Sequence, residues 1–176
     1  SKVQELQMVT QKGDNTSVVA IHGNFDCAQS GVKAIFENKE LAKELDVDKV
    51  VTLHGYLHHD ELKSFYDNCN VGVSFVPITE FYDHQPVTKT YEYILAGIYT
   101  IATRTFSNKQ IINNENGFLI EDTPESFAEG IEYIIANNKV FDSNKIRNTL
   151  IDSQWETIVT QTMLPILRNF ERSSNK

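Results

Sequence analysis

A chain of 176 residues with 40% hydrophobic content holds enough apolar material for one good core, as a single domain or slightly more. Its net charge of −8 argues against a nucleic-acid backbone as partner, although a small phosphorylated ligand needs only a local positive pocket. No apolar run approaches the roughly 20 residues of a membrane span, no signal peptide is visible, and Ser1 in place of methionine points to a processed or excised chain.

In chain order, Val3, Leu6 and Val9 recur at a spacing of three, which predicts a short amphipathic helix over residues 3–12, ended by Gly13-Asp14-Asn15. Ser17 to His22 reads as a strand and Gly23-Asn24 as the turn behind it, where a glycine lets backbone approach a ligand. Residues 29–45 read as a helix with Val32, Ile35, Phe36, Leu41 and Leu45 on its apolar face. Lys49 to Leu53 is the next strand, left through His54-Gly55-Tyr56, and residues 59–69 are a helix behind a polar His58-His59-Asp60 cluster. Val71 to Val76 is a further strand. Histidines 54, 58, 59 and 84 fit no standard zinc spacing, and surface or turn positions are the simpler reading. Cys27 and Cys69 form no metal or disulfide pattern and read as small apolar residues in a reducing compartment.

The stretch from Gln85 to Thr103 carries the chemistry. Pro86 suits the first turn of a helix, Gly97 its left-handed end, and the β-branched run Ile98 to Thr103 a buried strand. Lys89 and Glu92 are three apart and share a face one turn from the helix start, where unpaired N–H groups favour a phosphate. Lys89 adds a full positive charge, and Glu92 offers an acceptor for sugar hydroxyls. An ordinary i,i+3 ion pair on a solvated face is the competing reading, and on pattern alone the better one. In an open α/β sheet ligands sit beyond the carboxyl ends of the strands. The loops after Ile21, Leu53, Val76 and Ala102 therefore share one rim, which gathers Gly23, Tyr56, Thr88, Lys89, Glu92 and Arg104. Beyond it, Gly117 to Ile120 is a short edge strand. Thr123-Pro124 starts a helix running to about Asn137, with Phe127, Ile131, Ile134 and Ile135 facing the core. Residues 142–152 form another short helix, Trp155 is expected as a core anchor, Pro165 should kink or break the last helix, and residues 173–176 read as a disordered polar tail.

The block Pro86-Val87-Thr88-Lys89-Thr90-Tyr91-Glu92-Tyr93-Ile94-Leu95-Ala96-Gly97, followed by Ile98-Tyr99-Thr100-Ile101-Ala102, resembles the signature of the retaining, GT-B-fold glycosyltransferases of the glycosyltransferase 1/4 family group. Their C-terminal domain carries a Pro-Thr-Lys-x-x-Glu-Tyr-x-x-x-Gly form of a Glu-x7-Glu motif. Further matches are Val19 to Gly23, Leu41 to Leu45, Val50 to Leu57, Asp60 to Tyr66, Cys69 to Pro77 and Gly117 to Ile120, so the resemblance covers about Val18 to Phe170. It implies an α/β, Rossmann-like, doubly wound parallel sheet with helices on both faces, one half of a GT-B fold, with C-terminal helices. The whole chain, 1–176, would be one donor-binding domain without its N-terminal acceptor domain and its first strand. Nothing before Ser17 matches the family's opening strand, whose Arg and Lys bind the diphosphate.

The resemblance also implies roles. The second motif glutamate, which holds the ribose hydroxyls, maps onto Glu92, and the Gly-Tyr turn beside the nucleotide base onto Gly55 and Tyr56. The first motif glutamate falls on His84 and is absent, with Glu80 and Asp83 nearby but off register. Thr88, Lys89, Arg104, Gly23, His84 at the first motif position and, further out, Lys109 complete the donor-side set. The implied activity is transfer of a sugar, with retention, from a nucleoside diphosphate sugar (a UDP- or GDP-sugar) to a glycan or lipid-linked acceptor in polysaccharide biosynthesis. No metal or other cofactor is implied. The full-length protein would be a cytoplasmic hexosyltransferase, peripheral at the inner membrane face as a second expectation, and this piece alone would turn nothing over. The alternatives are another GT-B enzyme such as a nucleotide-sugar 2-epimerase, a non-catalytic flavodoxin- or receiver-like α/β module, and a degenerate domain that has lost activity.

Overall fold

The computed structural model describes residues 2–12, 15–25, 40–44, 46, 48, 51–56, 59–136 and 141–174. Six strands form one sheet: β1 (Lys2–Lys12), β2 (Asn15–Phe25), β3 (Val51–Tyr56), β4 (Val71–Ser74), β5 (Tyr99–Thr103) and β6 (Gly117–Ile120), in the order β3-β1-β2-β4-β5-β6. β2, β4, β5 and β6 pair in parallel. β1 is antiparallel to both β2 and β3, so β3 also runs in the parallel direction.

The helix expected over residues 3–12 is therefore a strand. β1 lies between two neighbours, and ladder bonds on both edges override a local spacing of three that also suits a helix. The ladder with β2 runs from Lys2 opposite Phe25 to Lys12 opposite Asn15. Of the helix expected over 29–45, residues 40–44 are helical and the remainder lies outside the described residues.

The centre of the sheet explains its sequence. Every residue of β4 and β5 is buried, as β-branched strands covered on both faces should be. Val71 pairs with Tyr99 and Val73 with Ile101, placing these four on one face, and they share one buried cluster with Ile94, Ile111, Ile120, Ile134 and Ile146. α4 (Pro124–Ala136) covers that face, close enough at Gly130 that an added Cβ would lie 3.1 Å from Ile120 and 3.7 Å from Ile101. On the opposite face α2 (Thr88–Ala96) lays the ring of Tyr93 over Gly72, and Tyr66 at the end of α1 (His59–Tyr66) meets that ring edge-on at 5.7 Å. Cys69 is buried in this second cluster. Helices thus cover both faces of a mostly parallel sheet.

α2 begins at Thr88 with Val87 as N-cap, so Pro86 precedes the helix and does not open it. It ends as expected at Gly97, whose φ is +84°. The Gly97 N–H reaches the Ile94 carbonyl, and the Ile98 N–H returns to Tyr93, both at 2.9 Å. Arg147, on α5 (Ser143–Asn148), donates from Nε to the Leu95 carbonyl at 2.9 Å and from Nη2 to the Ala96 carbonyl at 3.2 Å.

Past β5, α3 (Phe106–Lys109) is a single turn capped by Thr105, whose Oγ1 accepts from the Asn108 N–H. α4 starts where Thr123-Pro124 predicts, but Ile135, expected on the core face, is exposed. A 3₁₀ turn (Ile151–Ser153) follows α5. Trp155 opens the terminal helical run 76% exposed, not as a core anchor. That run is α6 (Trp155–Thr157), a π segment (Ile158–Met163) and α7 (Leu164–Ser174). Pro165 does not break it. The proline is the second residue of α7, directly after the wider π turns. α7 runs into the segment expected as a tail. No described helix is long and apolar enough to cross a membrane.

Candidate functional site

The carboxyl ends of the parallel strands define one rim. Ile21 pairs with Val73, Ser74 with Ala102 and Thr103 with Ile120, so the carboxyl ends of β2, β4, β5 and β6 lie on the same side. The end of β3 joins them, because Gln4 of β1 pairs with Gly23 on one flank and Tyr56 on the other. Gly23, Gly55 and Tyr56 are not in turns, as the sequence suggested. β2 runs on past Gly23 to Phe25, and Gly55 and Tyr56 are the last two residues of β3, because β1 lies between the two strands and supplies ladder partners to both. Gly55 pairs with Glu5 beside a register shift that leaves His54 as the extra residue of a bulge.

Thr88, Lys89 and Glu92 stand together on the first turns of α2. Lys89 Nζ donates to Glu92 Oε2 at 2.9 Å, with the lysine side chain 23% and the glutamate 43% exposed. The plain ion pair is thus what the chain itself makes. Val87 supplies no side-chain cap; the Thr90 N–H donates to the Val87 carbonyl at 3.1 Å, and the N–H groups of Thr88 and Lys89 ahead of it are the ones that suit an outside acceptor. Exposed Thr88 is the first helical residue.

Arg104 leaves the end of β5 and turns to β6, not to α2. Its Nε donates to Glu121 at 2.8 Å and its Nη2 to the Leu119 carbonyl at 3.2 Å. His84 is exposed, with its ring 4.4 Å from that of Phe106 and its Nε2 3.7 Å from Asp83. Lys109 is exposed in α3. Rim and helix thus bring Thr88, Lys89 and Glu92 together and hold His84 on the loop before them. Arg104 is committed to an acidic neighbour. Among the described residues no group of three or more His, Cys, Asp or Glu is placed to hold a metal ion.

Sequence reasoning missed what holds these parts in place. Thr90 is fully buried, with Oγ1 2.9 Å from Ser74 Oγ and 2.7 Å from Asn108 Oδ1. Asn108 Nδ2 donates to the Thr103 carbonyl at 2.9 Å, and Thr103 Oγ1 accepts from the Val76 N–H at 2.9 Å. One buried network therefore ties the ends of β4 and β5 to α2 and α3. Asp83 was also missed as a brace. Its carboxylate accepts the Phe106 N–H at 2.7 Å and its carbonyl the Ser107 N–H at 3.2 Å. Thr105, spaced as an N-cap from Asn108, is the sequence signal that could have exposed α3.

Strands parallel around a central pair, helices on both faces, and charged groups with an uncapped helix start at the carboxyl rim define a Rossmann-like domain of the GT-B kind. The chain belongs to the family of glycosyl transferases group 1, whose model matches residues 9–151. Among solved structures it is similar to the sucrose-phosphate synthase of Thermosynechococcus elongatus, with a TM-score of 0.62 and 20% identity over 88% of this chain. The chain spans 38% of that protein's length. No curated protein matches it.

Proposed function

We propose that this chain is the donor-binding half of a retaining glycosyltransferase that takes a sugar from a nucleoside diphosphate sugar and passes it to a glycan acceptor. One observation carries the reading: a cation, a carboxylate and a helix start without a side-chain cap converge at Thr88, Lys89 and Glu92, at the carboxyl rim of a group 1 glycosyltransferase fold. The free N–H groups and Lys89 face the charge that grows on a departing diphosphate, and such fixed dipoles cost no reorganisation at the moment of transfer. Glu92, an acceptor only, takes hydrogen bonds from ribose hydroxyls. Its pairing with Lys89 keeps both side chains in place while the site is empty. The nucleotide base lies toward Gly55 and Tyr56, and His84 stands where a carboxylate would meet the donor sugar.

Thermal unfolding in the presence of UDP, GDP, ADP and their sugars tests the reading. A nucleotide at 100 times its dissociation constant adds about 2.7 kcal/mol, which for a domain of this size moves the melting temperature by roughly 5–10 °C. The shift is expected for one base and is reduced in Glu92→Ala. A second reading, a module that has lost transfer, is favoured by His84 at the first motif position and by the internal pairing of Arg104 and Lys89. In that case a nucleotide binds and no donor hydrolysis or transfer follows in the full-length enzyme.

A further inference from the structure

The loop between β4 and α2, with the start of α3 fastened to it, presents aromatic rings to solvent on a backbone that is held firmly. Phe75 is 55%, Phe81 75% and Phe106 47% exposed. Phe81 and Tyr82 meet edge-on at 5.0 Å, and His84 lies over Phe106 at 4.4 Å. The Thr79 carbonyl accepts from the N–H groups of Tyr82 and Asp83, and the Tyr82 carbonyl from that of Gln85. Asp122 accepts from Ile78 at 2.9 Å, and Asp83 fastens the loop to α3. Exposed rings on a fixed backbone bind with little ordering cost.

We infer that Phe81, Tyr82 and Phe106 form a stacking platform for a neutral sugar of the glycan acceptor, beside the donor end of the site. The inference rests on the glycosyltransferase reading above. Charge selects the occupant. Residues 75–88 contain no lysine or arginine, and their ionisable side chains are Glu80, Tyr82, Asp83 and His84. Lys89 is paired with Glu92 and Arg104 with Glu121, and the one exposed lysine of α3, Lys109, is outnumbered in the charge count by the two loop carboxylates Glu80 and Asp83. Such a border repels nucleic acid and anionic lipid. A pyranose suits it: its C–H faces meet the negative faces of the rings, and its hydroxyls donate to carboxylates.

The test is saturation-transfer NMR on the 176-residue chain with maltohexaose, cellohexaose and chitohexaose as probes. At least one is expected to receive transfer at its ring C–H protons. Phe81→Ala and Phe106→Ala should each weaken that binding at least fivefold, while Trp155→Ala, a comparably exposed aromatic elsewhere, leaves it unchanged. Phe81→Leu keeps the bulk without the ring and repeats the loss if Phe81→Ala misfolds. Absence of transfer to all three probes overturns the platform, as does equal loss in Trp155→Ala. So does loss in Phe81→Ala of self-association or of binding to phosphatidylserine vesicles in place of sugar. Nucleotide stabilisation is expected to survive in Phe81→Ala. Nucleotide binding without sugar binding sinks the platform alone, and the reverse sinks the donor reading alone.

Discussion

Thr90 and Asn108 lie 18 positions apart, and the hydroxyl oxygen of one stands 2.7 Å from the amide oxygen of the other, both wholly buried. Amide oxygens only accept, so the Thr90 proton is committed to Asn108, and Ser74 donates to Thr90 in turn. The helix that carries Lys89 and Glu92 is thereby fastened to the ends of β4 and β5 by side chains on its hidden face.

Thr90→Val keeps the volume and removes the hydroxyl, leaving Asn108 Oδ1 without that donor. The expected loss is about 1–3 kcal/mol in urea unfolding. A double-mutant cycle with Asn108→Ala should return a coupling of about 0.5–3 kcal/mol, as for neighbours in one network. Additive losses would mean that the two residues act separately.

Two glycines should resist even alanine. At Gly72 a Cβ would lie 2.7 Å from the Tyr93 ring, an overpacking worth about 1–3 kcal/mol. At Gly97 the penalty of a positive φ joins a clash, since the Cβ would sit 2.8 Å from the Ser143 carbonyl oxygen. Gly97→Ala is expected to cost about 1–2 kcal/mol from the backbone alone, more with the contact included. Paired denaturation curves decide it, and a neutral Gly97→Ala would contradict the cap geometry.

Tyr99 gives the chain an alkaline limit. Its hydroxyl donates to the Gly117 carbonyl at 2.8 Å. Burial, with Tyr133 adding to it, pushes its pKa from 10.0 up to about 12. Between those values the unfolded chain releases the proton and the folded chain keeps it, so stability falls as pH rises from 10 toward 12 and is unaffected below 10. Tyr99→Phe should lose about 1 kcal/mol at neutral pH and flatten that alkaline decline. Melting curves from pH 8 to 11.5 measure both.

Lys89→Met and Glu92→Gln break an ion pair that is partly in water. Stability should change by less than about 1 kcal/mol, whereas stabilisation by the cognate nucleotide should fall in both. A large loss of stability with nucleotide binding intact would make the pair structural.

The sheet's centre and the signature helix were legible because local signals agreed there. β4, β5, β6, the Gly97 cap and the start of α4 each carry a short run with its own punctuation. β1 was not legible. Val3, Leu6 and Val9 satisfy a helical spacing, and only pairing with β2 and β3, distant in sequence, makes the segment a strand. Of the candidate site, the Lys89–Glu92 pair was readable from spacing. The Thr90 network was not, since its partners are 16 and 18 residues away. The orientation of Arg104 toward Glu121 depends on β5 and β6 being neighbours, which no local pattern reveals.

Arg147 and Gly97 together close the rear of α2, while at its front Val87 gives no side-chain cap. The helix is clamped at one end and open at the other. Its amides should therefore exchange with solvent in a gradient, slowest near Ile94 and fastest near Thr88. An anion arriving at the front would complete the clamp without moving the body of the helix, so occupancy would be felt as stiffening of one turn rather than as a change of shape.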